Sequence, residues 1–175
     1  VRRRHGAKLM EVKVKPVSGG YELLLVYDVK DPCVQGGSHS AAIDFGVDNT
    51  MAVVSDTGDS LIFKGRSIKS INQYFNKQKA ERVSLMSKGK QTTGRVWSKY
   101  LDHLSAYRTN YIRDCFHKMS RILLEWCKEH GIGTLVLGSN SFWKQDAHMG
   151  KQNNQSFVSI PFDMLKSMIE LKACE

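Results

Sequence analysis

Residues 41–58 constrain the fold of this chain more than any other stretch. Two sets alternate at its start, with Ala41, Ile43 and Phe45 in one and Ala42, Asp44 and Gly46 in the other. A period of two is that of a β-strand, and the apolar set places this strand in a sheet interior. The pattern predicts that Asp44 stands among hydrophobic neighbours. Because an unpaired charge is costly to bury, we expect this carboxylate to meet a cation, a metal ion or a hydrogen-bond network.

Two turns and two further strands follow this first strand. Asp48 and Asn49 supply turn chemistry before the apolar residues 51–54, and residues 56–59 make a second turn before the apolar residues 61–63. Three short antiparallel strands with a single acid on the first resemble the opening of an RNase H-like nuclease sheet. An α/β fold of that kind is the working hypothesis.

A β-hairpin precedes this stretch. Residues 9–15 alternate apolar and polar side chains, and residues 21–29 form a second, more apolar strand after a Gly-Gly turn. A lone hairpin is too small to be stable, so we assign residues 1–39 to the end of an N-terminal β domain and its linker. Residues 40–175 then form the second unit.

After the third strand of this unit the sequence period becomes helical. Residues 67–88 predict a helix capped by Ser67 or Ser70, and residues 96–129 predict a long helix without Pro or Gly. Residues 134–137 predict a short buried strand, and Pro161 suits the first turn of a last helix. For the long helix we predict a core stripe of Leu101, Leu104, Tyr107, Tyr111, Cys115, Met119, Ile122 and Trp126.

The charge of the chain indicates a polyanionic partner. The formal net charge is +9, and between residues 64 and 121 the only acids are Glu81, Asp102 and Asp114. A solvated lysine-rich surface is the alternative explanation. The basic candidates for nucleic-acid contact are Lys64, Arg66, Lys69, Lys88, Lys90, Arg95, Arg108, Arg113 and Arg121. Further along, Trp143 is placed to stack on a base or to lock its loop, and Lys144, Asn153 and Asn154 are candidate polar contacts.

Other classes of site have little support in the sequence. The four cysteines are Cys33, Cys115, Cys127 and Cys174, and they form no CxxC pair, so reduced thiols are expected and zinc is not. No apolar run is long enough to cross a bilayer, so no membrane partner is expected.

Several motifs together carry a family resemblance. Residues 43–49 read IDFGVDN, residues 143–145 read WKQ, residues 150–157 read GKQNNQSF and residues 160–162 read IPF. Two long, basic predicted helices lie between the IDFGVDN and WKQ motifs. With these motifs and helices, the chain resembles TnpB. TnpB is the OrfB-type protein of bacterial insertion sequences and a relative of the type V CRISPR nucleases.

The resemblance implies a fold, an activity and partners. The fold would be an RNase H-like (RuvC) core with a mixed sheet and long helices, after a β-hairpin from an N-terminal β domain. The activity would be RNA-guided DNA cleavage linked to transposition, with guide RNA and target DNA as partners in the bacterial cytoplasm or nucleoid. Three carboxylates would hold two Mg²⁺ or Mn²⁺ ions, with Asp44 as the first catalytic and metal-binding carboxylate.

One departure from the family pattern bears on activity. Many relatives carry a Glu where this sequence has Gly138, and we expect the remaining acids and the zinc-ribbon cysteines to lie beyond Glu175. The chain is therefore interpreted as a truncated piece that is inactive alone. Asp48, Asp56, Asp59 and Glu170 are weaker candidates for a replacement ligand.

Alternative functions stay open at this point. A nuclease-dead, RNA-guided DNA-binding repressor would have the same sequence features. An ATP-binding protein of the actin and sugar-kinase type would use Asp56-Thr57-Gly58 as a phosphate loop, and an aspartic protease would use the same DTG, although a plain β-turn explains these residues. An open sheet edge after the fourth strand predicts self-association.

Overall fold

The computed structural model describes residues 8–17, 20–28, 36–87, 98–138 and 159–173. Its first two strands are β1 (Lys8–Val17) and β2 (Gly20–Asp28), which pair antiparallel into a two-stranded sheet of their own. The predicted hairpin is therefore confirmed. Its side chains are mostly exposed, including apolar ones such as Val14 and Leu23.

A second sheet contains β3 (His39–Phe45), β4 (Asn49–Ser55), β5 (Ser60–Lys64) and β6 (Ile132–Leu137). The strand order is β5-β4-β3-β6, with β3 antiparallel to β4 and parallel to β6. The sheet is thus mixed, as predicted, and β3 lies inside it. The strand β6 is at the edge and is only partly buried, contrary to its prediction as a buried strand.

Three helices complete the described fold: α1 (Arg66–Ser87), α2 (Lys99–Glu129) and α3 (Phe162–Ala173). Helix α1 begins directly after Gly65, so neither Ser67 nor Ser70 caps it as predicted. A Cβ at Gly65 would lie 2.5 Å from the carbonyl oxygen of Val47, which explains why glycine occupies this strand-to-helix junction. Helix α2 starts at an N-cap, where the hydroxyl of Ser98 accepts a hydrogen bond from the Leu101 amide at 3.2 Å.

The core lies between one face of the second sheet and helices α2 and α3. Ala41, Ile43 and Phe45 of β3 point into it, and the rings of Phe45 and Phe162 are 5.9 Å apart. The other described residues of this buried cluster are Met51, Val53, Phe63, Ile68, Ile112, Phe116, Leu123, Cys127, Ile160, Leu165 and Ile169.

Helix α2 buries Leu101 and Leu104 of the predicted core stripe and packs the partly buried Cys115, Met119 and Trp126 of that stripe against the core. Its buried residues are Leu101, Leu104, Ile112, Phe116, Ser120, Leu123 and Cys127. Tyr107 is 58% exposed and Ile122 is 49% exposed, so both lie outside the core. The buried stripe includes Ser120, a polar residue that a hydrophobic pattern does not predict in a core. Its hydroxyl donates to the Phe116 carbonyl at 2.7 Å, which satisfies the buried polar group within the helix.

The residues Asp56 to Asp59 form a turn, as the simplest explanation predicts. The Gly58 amide donates to the Ser55 carbonyl at 3.1 Å, and Gly58 has a φ of 89°, a left-handed conformation that favours glycine. The Thr57 hydroxyl donates to the Asp59 carboxylate at 2.8 Å. The aspartates of this turn are thus engaged in local structure.

Two isoleucines of α2 test the corrected phase of this helix. Ile112 is 1% exposed and Ile122 is 49% exposed. We expect Ile112→Ala to lower the free energy of unfolding by about 2–5 kcal/mol because it leaves a core cavity, and Ile122→Ala to change it by less than about 0.5 kcal/mol. Urea denaturation followed by circular dichroism measures both. Equal losses of unfolding free energy in the two Ala variants would contradict the assignment of Ile112 to the buried face of α2. Ile112→Val provides a milder core variant.

Candidate functional site

Asp44 lies on the open face of the second sheet. It is the sixth residue of β3 and is exposed, whereas Ile43 and Phe45 on either side of it are buried. The expectation that its carboxylate is buried among hydrophobic residues is therefore wrong. Side chains alternate between the two faces of a strand, and the helices cover the face opposite Asp44.

The neighbours of Asp44 across the sheet are small. Asp44 pairs with Ala52 of β4 on one side. On the other side Leu137 pairs with Ile43, and the Gly138 amide donates to the Ile43 carbonyl at 3.0 Å, so Gly138 follows next to Asp44. With a methyl group and a hydrogen as its flanking side chains, the carboxylate is open to a ligand approaching from solvent.

The position of Gly138 limits what this edge of the sheet can contribute. A Cβ built there would lie 3.1 Å from the Ile43 carbonyl oxygen, which is tighter than an ordinary contact. A glutamate at this position would need the backbone to shift by a few tenths of an ångström. The glycine that departs from the family pattern thus matches a locally tight backbone.

The described residues do not by themselves form a metal centre. No three His, Cys, Asp or Glu side chains come together among them in a geometry that could hold an ion. Asp44 offers one carboxylate with hard oxygen ligands of the kind that Mg²⁺ prefers, but a two-ion site needs several. The described residues alone therefore do not complete a two-ion site.

The weaker acidic candidates are engaged elsewhere or lie apart from Asp44. Asp48 accepts a hydrogen bond from Lys69 at 2.7 Å, and this contact keeps the pKa of Asp48 below its usual value. Asp56 accepts from the Ser40 amide at 2.9 Å and lies 3.2 Å from a ring nitrogen of His39. Glu170 is an exposed residue of α3.

The basic candidates near the sheet have different surroundings. Lys64 ends β5 and Arg66 begins α1, and both are exposed. Lys69 is one turn into α1 and its charge is compensated by Asp48. Lys64 and Arg66 are therefore the better placed of the three for contact with phosphate.

The three arginines of α2, each predicted to contact nucleic acid, have different surroundings. Arg108 is half-buried, donates to Asn72 of α1 at 2.5 Å and to the Ser159 carbonyl, and lies 5.2 Å from the Phe75 ring centroid. Burial lowers the pKa of this guanidinium from its ordinary value. Arg108 thus joins α1, α2 and the start of the last segment, which is a structural role.

The other two arginines differ in how accessible they are. Arg113 lies 3.4 Å from Glu22 of β2, which links the hairpin to α2. The Arg121 side chain is 77% exposed and approaches Glu125 only at 4.0 Å. Of the three arginines, Arg121 is the most exposed.

Several predicted contacts lie outside the described residues. These are Lys88, Lys90, Arg95, Trp143, Lys144, Asn153 and Asn154.

Sequence reasoning missed a groove between α1 and α2. Its lining includes Tyr74, Tyr100, Tyr107 and Tyr111, two of which had been assigned to the core of α2. A signal was present in the sequence, because these tyrosines of α2 sit one position away from the stripe that continues through Ile112 and Phe116. The stripe with Tyr107 and Tyr111 overlaps the one with Ile112 and Phe116, and only the tertiary contacts of α2 show which of the two is buried.

The contrast between Arg108 and Arg121 gives a stability prediction. We expect Arg108→Met to lower the free energy of unfolding by about 1.5–3 kcal/mol, because it removes hydrogen bonds to a partly buried charge. Arg121→Met should change it by less than about 0.5 kcal/mol. Chemical denaturation of the two variants measures the difference, and an unstable Arg121→Met would contradict the assignment.

Comparison with known proteins agrees with this architecture. The solved chain in “Cryo-EM structure of the Cas12f1-sgRNA-target DNA complex” superimposes with a TM-score of 0.67 at 14% identity, over 95% of this chain and 34% of that one. The chain in “Cryo-EM structure of CRISPR-Cas12f Ternary Complex” gives a TM-score of 0.56 at 15% identity, over 93% and 32%. This chain thus spans about a third of the length of these relatives, and the likeness identifies a RuvC-like fold.

The sequence comparisons complete the assignment. No curated protein matches the chain. Among the described helices, none has the length and apolar content that a membrane span requires. The profile of the OrfB_IS605 family, described as “Probable transposase”, matches residues 24–143, which is more than half of the chain. The chain belongs to this OrfB family and is TnpB-like.

Proposed function

We propose that this chain is the RuvC-like part of an RNA-guided DNA endonuclease, in which Asp44 supplies one carboxylate for metal-dependent phosphodiester hydrolysis. The observation that carries this proposal is the outward position of Asp44 on an inner strand of the sheet, between Ala52 and the backbone of Gly138. A charged side chain at that place is free to meet a ligand, while its own strand is fixed by the core beneath it.

The chemistry of the proposed reaction explains why a carboxylate is suited to this position. Divalent ions such as Mg²⁺ or Mn²⁺ bind carboxylate oxygens and supply charge stabilisation at a phosphodiester. We propose Asp44 as one ligand of such an ion, with the other ligands supplied from outside the described residues. Strand β3 holds Asp44 rigidly, since Ile43 and Phe45 on either side of it are each 2% exposed.

The surface charge supports nucleic acid as the partner. The net charge of the chain is +9, Lys64 and Arg66 are exposed, and the exposed Arg121 approaches its described partner Glu125 only at 4.0 Å. Contacts of this type hold a phosphate backbone without reading its sequence. In RNA-guided systems the target sequence is read by base pairing with the guide. We therefore propose guide RNA and target DNA as partners, as in the complexes of the Cas12f relatives.

A nuclease-dead, RNA-guided DNA-binding protein is the second candidate. The observation that favours it is Gly138, whose backbone lies too close to the Ile43 carbonyl for an unshifted side chain. In such a protein the nucleic-acid surface would persist and Asp44 would be dispensable. The two candidates therefore make opposite predictions for a substitution at Asp44.

The cleavage test uses the full open reading frame that encodes this sequence, with its guide RNA. We expect Asp44→Asn to lower DNA cleavage by more than about 100-fold, because loss of a metal ligand costs more than loss of its supporting hydrogen bonds. Asp48→Asn is the matched control, because Asp48 is an exposed turn acid that pairs with Lys69. A gel assay of a guided target measures both. Wild-type protein that binds the target without cutting it would favour the repressor.

Binding of this chain to nucleic acid should depend on salt and not on sequence. We expect log K to fall linearly with log salt, and Arg121→Met and Arg66→Met each to reduce the slope by about 0.7–0.9. Lys13→Met is the control, since Lys13 pairs with Glu11 at 3.0 Å on the hairpin. Fluorescence anisotropy at several salt concentrations measures the slope. Affinity that does not weaken with added salt would contradict a phosphate-binding surface.

A further inference from the structure

We propose that the groove between α1 and α2 binds single-stranded RNA by stacking its bases on tyrosine rings. This inference rests on the proposed function and adds a specific RNA-binding site to it. The groove has a volume of about 650 Å³ and is lined by Tyr74 of α1 and by Tyr100, His103, Tyr107 and Tyr111 of α2.

The tyrosines are exposed rather than used in the core. Tyr107 is 58% exposed, Tyr74 is 49% exposed, and Tyr100 and Tyr111 are 38% and 37% exposed. Four large rings that converge on one groove form an exposed aromatic patch, and contiguous patches of this kind mark binding sites. A tyrosine ring offers a flat apolar face and a polar tip, which suits a partner that is partly apolar and partly wet.

The charges around the groove select the partner. Among the described residues that line the groove, none carries a carboxylate. Helix α1 carries five basic residues and a single acid, Glu81. Of these basic residues, Arg82 lies beside the groove, with its guanidinium 4.7 Å from the Tyr100 ring centroid. The occupant should therefore combine negative charge with flat aromatic surfaces. Single-stranded nucleic acid has both, because its phosphates are anionic and its unpaired bases expose their π faces.

The polar groups of the groove favour RNA. Ser70, His103 and the tyrosine hydroxyls can exchange hydrogen bonds with a 2′-hydroxyl, which is the group that distinguishes RNA from DNA. One of these hydroxyls, on Tyr100, already donates to Gln78 at 2.8 Å, which holds that ring in place. Along α2 the rings from Tyr100 to Tyr111 span roughly 16 Å at 1.5 Å per residue, which is long enough for more than one base. A proline-rich peptide also fits aromatic grooves, but it would not explain the cationic α1.

The experiment measures binding of fluorescein-labelled oligouridine to this chain by anisotropy. The comparison probes are oligothymidine DNA and an abasic oligonucleotide of the same length as the oligouridine. The variants are Tyr107→Leu and Tyr74→Leu, which remove the ring, and Tyr107→Phe, which keeps it. Tyr21→Leu is the matched control, because Tyr21 is 79% exposed on β2 and lies outside the groove. Thermal unfolding of each variant verifies that it is folded.

We expect oligouridine to bind more tightly than the abasic backbone, and each Leu variant to weaken oligouridine binding by about 5-fold or more. The salt slope should stay unchanged in the Leu variants. Tyr107→Phe should bind oligouridine more tightly than Tyr107→Leu because it keeps the ring, and Tyr21→Leu should bind like wild type. Equal binding of the abasic backbone, or unchanged affinity in folded Leu variants, would overturn the stacking site. Equal or tighter binding of oligothymidine would overturn the assignment to RNA, and saturable binding of a polyproline peptide at the same tyrosines would assign the groove to protein.

These outcomes are separable from failure of the proposed function. A chain that bound none of the nucleic-acid probes would overturn both proposals. Salt-dependent binding that ignored the bases would overturn the groove alone. A wild-type protein that does not cut DNA, or an Asp44→Asn variant that cuts as well as wild type, would overturn only the nuclease if tyrosine-dependent binding is intact.

Discussion

The two faces of β3 have opposite environments, and the rest of the site depends on this difference. Ala41, Ile43 and Phe45 are fixed in a core with α2 and α3, so their neighbours on the strand must face away from the helices. This packing holds Asp44 on the open face, where its side chain has no hydrogen bond or ion pair with another described residue. Strand β3 therefore presents the Asp44 carboxylate at a fixed position, where other parts of a protein can add further ligands to complete a site.

The helices divide the basic residues into structural and accessible ones. Arg108 is used to join α1 and α2 through Asn72 and the Ser159 carbonyl, and Arg113 reaches Glu22 of the hairpin. Arg121 and Arg66 are left exposed. A positive net charge thus favours binding of polyanions in general. Which cationic side chains a polyanion can reach depends on which of them already form hydrogen bonds or ion pairs within the fold.

Local periodicity was sufficient to predict the hairpin, the three strands after it, both long helices and β6. It could not decide which of two stripes of α2 is buried, because Arg108 and Ser120 interrupt the true one. It also placed Asp44 in a buried setting, because the apolar residues beside it in sequence point to the other face. The contacts of Arg108 join residues far apart in sequence, so no local pattern reveals them.

The most direct test of the account is whether bound nucleic acid lies over the open face at Asp44. An iron chelate attached to Asp44→Cys, in a chain whose native cysteines are replaced by serine, generates hydroxyl radicals that cut a nearby backbone. We expect cleavage focused on a few adjacent nucleotides, with none from the same chelate at Val14→Cys on the hairpin. No focused cleavage from position 44, in a folded protein that still binds nucleic acid, would contradict it.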